Sequence, residues 1–245
     1  MNLNLRRQNH SYWFVFLIGV FAILNTGAYW FDKAPAKRLR VYFIRHAETL
    51  ANKTGLKTEE NYRSFSTRGL KQIDVVTEVL SKITIDHVIV SPTFRTRHTV
   101  LPYLKKTGKK AEIWPELEEW RMKSQLPVDM TPDSLKIEIE PENRDYFTFR
   151  DLNSTKLYYT ENYEGGIRQI QKIFSLIRER FSGSGKSILL VGHSNSGSRV
   201  LEHLSGQEMI VRYHLKTARL NLLEEIDSGH FKIVMLNGDK FQPGG

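Results

Sequence analysis

The 245-residue chain contains no cysteine. This excludes disulfide bridges, thiolate metal sites and a cysteine nucleophile. It also lacks internal repeats and long low-complexity tracts. Acidic residues are the scarcer charge, 27 Asp and Glu against 36 Lys and Arg, for a net +9. The excess does not form the continuous basic stripe with interleaved aromatics that a nucleic-acid binder carries. Residues 1–40 hold Arg6, Arg7, Lys33, Lys37, Arg38 and Arg40 against the single acid Asp32, so they account for +5 and the remainder for +4. No nucleic-acid partner is expected, while the residual positive charge would draw in anionic substrates.

Long uncharged runs are absent except for one. Tyr12 to Phe31 comprises 20 residues without a charge, with Trp13, Tyr29 and Trp30 near its ends. About 20 apolar residues span a bilayer core, and amphipathic aromatics favour its interfaces. The expected organisation is a short tail over 1–11, a transmembrane anchor or uncleaved signal over 12–31, a linker over 32–38 and one domain over 39–240. Ala34-Pro35-Ala36 resembles a cleavage site, but the apolar run is long for a signal peptide. Arg6 and Arg7 argue for an inside N-terminus, and Lys33, Lys37, Arg38 and Arg40 for the reverse. A short tail before a single span commonly serves as an export signal, so a single-pass membrane protein with an extracytoplasmic domain is expected.

Beyond residue 38 the pattern alternates. Leu39–Ile44, His87–Val90, Ala111–Trp114 and Ser187–Val191 are short apolar, β-rich runs of the kind that form strands buried on both faces. Helical spacing appears over Arg68–Ser81, Thr93 to about Lys106, Gly165–Phe181 and Ser196–Leu204, with Pro102 disturbing the second of these. Leu220–Ile226 and Phe231–Leu236 predict a closing hairpin around Asp227-Ser228-Gly229. Residues 115–165 are rich in proline and charge, and the stretch 120–164 is expected to be a lid-like insertion. The expected fold is an α/β three-layer sandwich with a mostly parallel central sheet. Ligands of such sheets bind at the carboxyl ends of strands. Three polar segments fall there: Arg45-His46, Ser91 to Arg95, and Gly192-His193.

Arg45-His46-Ala47-Glu48-Thr49-Leu50-Ala51-Asn52, directly after the first strand, resembles the signature of the histidine phosphatase superfamily, which includes the cofactor-dependent phosphoglycerate mutases. Ser66-Thr67-Arg68-Gly69-Leu70-Lys71-Gln72, Ser91-Pro92-Thr93-Phe94-Arg95-Thr96-Arg97-His98-Thr99, Leu117-Glu118-Glu119 and Val191-Gly192-His193 resemble further segments of that family in the same order. Gly192 before the second histidine and Ser194-Asn195 after it depart from the usual V-S/T-H-G-G.

The resemblance implies a phosphomonoester hydrolase with His46 as nucleophile, giving a phosphohistidine intermediate. Arg45 and Arg95 would grip phosphate oxygens with planar forks, and His193 would add a further donor. Asn52 and Thr49 would contact substrate. Glu119 would protonate the leaving group, with its neighbour Glu118 as the alternative. Cationic side chains already neutralise the phosphate, so neither metal nor cofactor is expected. The implied partner is a small anionic phosphorylated substrate, and an extracytoplasmic domain would meet phosphorylated envelope sugars or lipid head groups. Among Arg121, Lys123, Arg144 and Arg150 of the insertion, one or two are candidates for a second anionic group of the substrate.

Rival readings are a mutase-like phosphotransferase and, more distantly, a serine hydrolase using Ser194. The string Gly192-His193-Ser194-Asn195-Ser196 resembles a nucleophile elbow but lacks its final glycine. Gly183-Ser184-Gly185-Lys186-Ser187 imitates a phosphate loop, but it precedes a strand and Arg180 stands where the first glycine is needed. Protease added to intact spheroplasts of an expressing bacterium is expected to digest the domain from residue 39 onward. Full protection would reverse the assigned orientation.

Overall fold

The computed structural model describes residues 38–120 and 136–242. An eight-stranded sheet runs through them in the order β4-β3-β2-β5-β1-β6-β7-β8. The strands are β1 Arg40–Arg45, β2 His87–Val90, β3 Ala111–Ile113, β4 Phe147–Phe149, β5 Ser187–Gly192, β6 Leu220–Asp227, β7 His230–Leu236 and β8 Asp239–Lys240. The first five pair in parallel, and β6 to β8 continue the sheet antiparallel.

The helices are α1 Leu50–Thr54, α2 Glu59–Arg63, α3 Thr67–Ser81, α4 Phe94–Thr107, α5 Tyr163–Phe181 and α6 Asn195–Leu204. Their starts follow local chemistry. The Ser66 hydroxyl accepts the Gly69 N–H at the start of α3, and the Asn162 side chain accepts the Gly165 N–H at the start of α5. Pro102 sits inside α4 without ending it. It forgoes one helical hydrogen bond there.

Alternation along the central strands divides the core. Val41 and Phe43 of β1 and Ile188 and Leu190 of β5 pack with Ile170, Ile173 and Ile177 of α5 and Val200, Leu201 and Leu204 of α6. Tyr42, Ile44, Leu189 and Val191 face the other way, onto Val76 and Leu80 of α3 and Val100, Leu101 and Leu104 of α4. Two helical layers thus sandwich one sheet, as expected for strands apolar on both faces. The short strand β4 and the small helices α1 and α2 were not anticipated. Each is five residues or fewer, too short to carry a periodic signal.

The run at 12–31 lies outside the described residues, and among those residues no helix is long and apolar enough to cross a membrane. The described ends of the insertion are clamped. Trp120 lies against Gly166, with the Arg199 guanidinium 4.0 Å from its ring centre. Glu140 forms an ion pair with buried Arg97 of α4 at 3.0 Å. Arg150 is not available for substrate, because it is spent on buried Glu116 at 3.0 and 3.2 Å and on Asp151. Arg121 and Lys123 lie outside the described residues, and Arg144 is exposed.

Phe43 leaves no room at α6. A Cβ on Gly197 would come within 2.4 Å of its ring and 2.9 Å of Leu215. Gly197→Ala is expected to lower unfolding free energy by about 1–3 kcal/mol through this overpacking, read from the urea midpoint at unchanged slope.

Candidate active site

The carboxyl ends of β1 and β5 lie side by side, with Arg45 opposite Gly192 and the His46 N–H donating to the Gly192 carbonyl at 3.0 Å. This pairing brings the two histidines together. The rings of His46 and His193 are 5.4 Å apart, centre to centre, and meet edge to face at 64°. Both side chains are almost fully buried.

Hydrogen bonds fix the protons on both rings. His46 Nδ1 lies 2.8 Å from the Ala47 carbonyl. A carbonyl only accepts, so Nδ1 carries the proton and Nε2 carries the lone pair. Arg95 Nη2 donates to His193 Nδ1 at 3.2 Å, which leaves the Nε2–H of His193 to donate to the Ser91 hydroxyl at 2.8 Å. Burial, reinforced by the charges of Arg95 and Arg45, holds the His46 imidazole well below its ordinary value of 6.5, against the raising effect of the Ala47 bond. Burial likewise lowers Arg45 from its ordinary value, while Glu119 and Glu48 oppose the shift. Arg45 Nη1 donates to the Leu215 carbonyl at 2.9 Å, and its Nε is buried with no protein acceptor among the described residues. An orphaned guanidinium nitrogen beside two histidines suits an anion.

The loop after His46 is held from several sides. The Ala47 N–H donates to the Thr99 hydroxyl, which in turn donates to the Arg95 carbonyl. The Glu48 N–H donates to Gln72 Oε1, and the Glu48 carboxylate accepts from the Ser66 hydroxyl at 2.7 Å. Its carbonyl accepts from the Ser66 N–H. Gly69 lies so close that a Cβ there would stand 2.0 Å from the Glu48 carbonyl oxygen. The 66–72 segment is therefore the brace of the loop that follows His46. Thr99, Ser66 and Gln72 are contributors that sequence reasoning quoted only as motif letters.

Thr49, expected at the substrate, lies at the start of α1. It is fully buried, and it exchanges hydrogen bonds with Asn52 in a capping box that starts α1. Asn52 is exposed, with its Oδ1 committed to that cap. Glu119 accepts the N–H groups of Asn195 and Ser196 at 3.1 and 2.8 Å, at the start of α6. Glu118 is buried and helps line a cleft of about 440 Å³ with Tyr62, Arg63, Phe94 and Arg95. Ser194 has φ −78° and ψ −62°, ordinary helical values that lack the strain of a nucleophile elbow. Gly183 and Gly185 are turn residues at φ 67° and 71° leading into β5, with no following helix to hold phosphate. Among the described residues, no cluster of three or more His, Asp or Glu could hold a metal ion.

The sequence profile of the histidine phosphatase superfamily (branch 1) matches residues 41–239. The chain belongs to this superfamily. Among curated relatives, the adenosylcobalamin/α-ribazole phosphatase of Escherichia coli K12 is 31% identical over 90 residues, which span 35% of this chain and 44% of that enzyme. Solved structures of this phosphatase fold include the α-ribazole phosphatase of Shigella flexneri, with TM-score 0.58, 19% identity, and 84% and 100% of the two chains covered. A phosphoglycerate mutase from Bacillus anthracis gives TM-score 0.58 at 15% identity, covering 83% of this chain and 94% of its own. At these identities the two structures establish the fold.

The depressed value of His46 in this phosphatase domain has a signed consequence. The unfolded chain takes up a proton near pH 6.5 and the folded one only well below it. This imidazole's stabilising contribution is therefore complete above about pH 6.5 and lost as pH falls below it. The urea midpoint is expected to drop between about pH 7.5 and pH 5, and to drop less in His46→Gln. An equal drop in both proteins would remove His46 as a cause.

Proposed function

We propose that the chain is a metal-independent phosphomonoester hydrolase working through a phosphohistidine on His46. The observation that carries this reading is the neutral, desolvated His46 ring, with Nδ1–H tied to the Ala47 carbonyl and the Nε2 lone pair beside Arg45, Arg95 and His193. Nε2 attacks phosphorus as the ester P–O bond breaks, and negative charge spreads over the equatorial oxygens. Arg45 and Arg95 take up that charge through charge-assisted hydrogen bonds. Phosphate binding at Arg95 would withdraw its hydrogen from His193 Nδ1, leaving that nitrogen able to carry a proton towards the phosphoryl group. Water then attacks the phosphohistidine and restores the neutral ring.

The departing oxygen needs a proton, and Glu119 is assigned to supply it. Its carboxylate rests on two backbone N–H groups at a helix start, a position that itself suits an anion. A phosphate arriving there would compete for those two donors and release the carboxyl group towards the departing oxygen. Glu118, in the cleft beside Arg95, is the alternative donor. The names of the relatives support phosphomonoesters as the substrate class. The B. anthracis mutase shares the fold, and a mutase would return the phosphoryl group to a bound acceptor rather than to water.

The uncharged run at 12–31 and its basic flanks support a single-pass anchor with the domain extracytoplasmic. That placement would favour phosphorylated envelope sugars or lipid head groups as substrates.

Brief mixing with a radiolabelled phosphomonoester is expected to leave an acid-labile, base-stable label on His46. His46→Ala should lose the label and at least about 10³-fold in turnover, as expected for loss of a nucleophile. A label found on Ser194, or undiminished activity in His46→Ala, would defeat the reading. For the proton donor, Glu119→Gln should slow an alkyl phosphate about 10²-fold or more but p-nitrophenyl phosphate far less, since that leaving group needs little protonation. The same pattern in Glu118→Gln alone would transfer the role.

A further inference from the structure

A second concavity, of about 420 Å³, lies between the first turns of α3 and the loop entering β6. Arg68, Lys71, Lys216 and Arg219 line it, and among the described residues no carboxylate does. It shares no lining residue with the cleft beside Arg95. Among the described residues, the one carboxylate paired with any of these four cations is Glu48, 3.5 Å from Arg68. Arg68 and Lys71 stand three residues apart on one helix, a spacing at which like charges repel. Val75 and Ala218 add apolar wall. Four cations around a partly apolar hollow suit a phosphorylated organic molecule better than a bare ion.

The floor of this hollow is continuous with the nucleophile loop. Gln72 accepts the Glu48 N–H through Oε1 and donates through Nε2 to the Thr217 hydroxyl, both at 2.9 Å. Thr217 pairs with Arg45 in an isolated parallel bridge. Ala218 takes the left-handed conformation, φ 51°, and its N–H donates to the Arg45 carbonyl at 2.9 Å. A non-glycine residue held there stores backbone strain of the kind found at ligand clamps and switches. The chain is thus gripped on both sides of His46, at Arg45 and at Glu48, by residues that line this second hollow.

We propose that the hollow is a second anion site, taking a small phosphorylated organic molecule with more than one negative charge. Its occupancy acts on the His46 loop through Gln72 and Thr217. The site goes beyond the hydrolase reading, because binding there does not require turnover.

The probe is methylenediphosphonate, a non-hydrolysable dianion, titrated into the full chain by calorimetry. Two binding events are expected, one of which persists in Arg95→Ala. Lys71→Ala/Lys216→Ala, which alters two exposed side chains, should weaken that event about tenfold or more, as loss of charge-assisted contacts implies. Raised salt should weaken it further. With p-nitrophenyl phosphate, competition at the catalytic pocket alters only KM, so a change in kcat reports the second site. A shift of about fivefold or more, typical of coupled sites, is expected in the parent protein and not in the double variant. Matching thermal midpoints of the two proteins keep the comparison valid. No binding in Arg95→Ala, equal binding in the double variant, or a filled site with unchanged kcat would each overturn the proposal. The calorimetric arm holds even for an inactive enzyme, so its failure is separable from failure of the hydrolase reading.

Discussion

A single bond between an imidazole N–H and the carbonyl of the next residue organises this molecule's chemistry. An imidazole placed among guanidinium groups faces two demands if it is to serve as the proposed nucleophile. It must stay uncharged, and it must direct its lone pair at the incoming phosphorus. The Ala47 carbonyl meets the second by fixing the proton on Nδ1 of His46. Burial and the neighbouring arginines meet the first. The cations that suit a phosphate therefore also keep the His46 ring neutral, and neither effect opposes the other.

Such a geometry survives only if the backbone around it is held. The strand end supplies one support through Gly192, and α4 supplies another through Thr99. A third comes from the 66–72 segment, where Gly69 permits an approach that any side chain would block. These supports come from elements far apart in sequence, so the His46 loop depends on the whole sandwich rather than on its own turn propensities. Preorganisation of this kind avoids rearrangement during the reaction.

The fold was legible where periodicity is strong. Strands such as Ile188–Val191, apolar on both faces, signal a covered parallel sheet, and the long helices show their stripes. The strand Phe147–Phe149 was hidden because three residues carry no period and pair only at the sheet edge. The site was legible as strand-end polar clusters plus a family likeness, and the structure brings His46, His193, Arg45 and Arg95 together. Letters alone do not show which residues also serve the fold. Thr49 caps a helix, and Arg150 pairs with buried Glu116. The cationic hollow at Arg68 and Arg219 escaped notice because its halves are some 150 positions apart.

The clamps at the edges of the insertion bear on how this protein can change over time. Trp120 is wedged against Gly166 beneath Arg199, and Glu140 is riveted to Arg97 inside α4. Both anchors tie positions 120 and 140 to helices of the sandwich, so a substitution at Arg199 or Arg97 would be felt at these two positions as well as inside the helix that carries it.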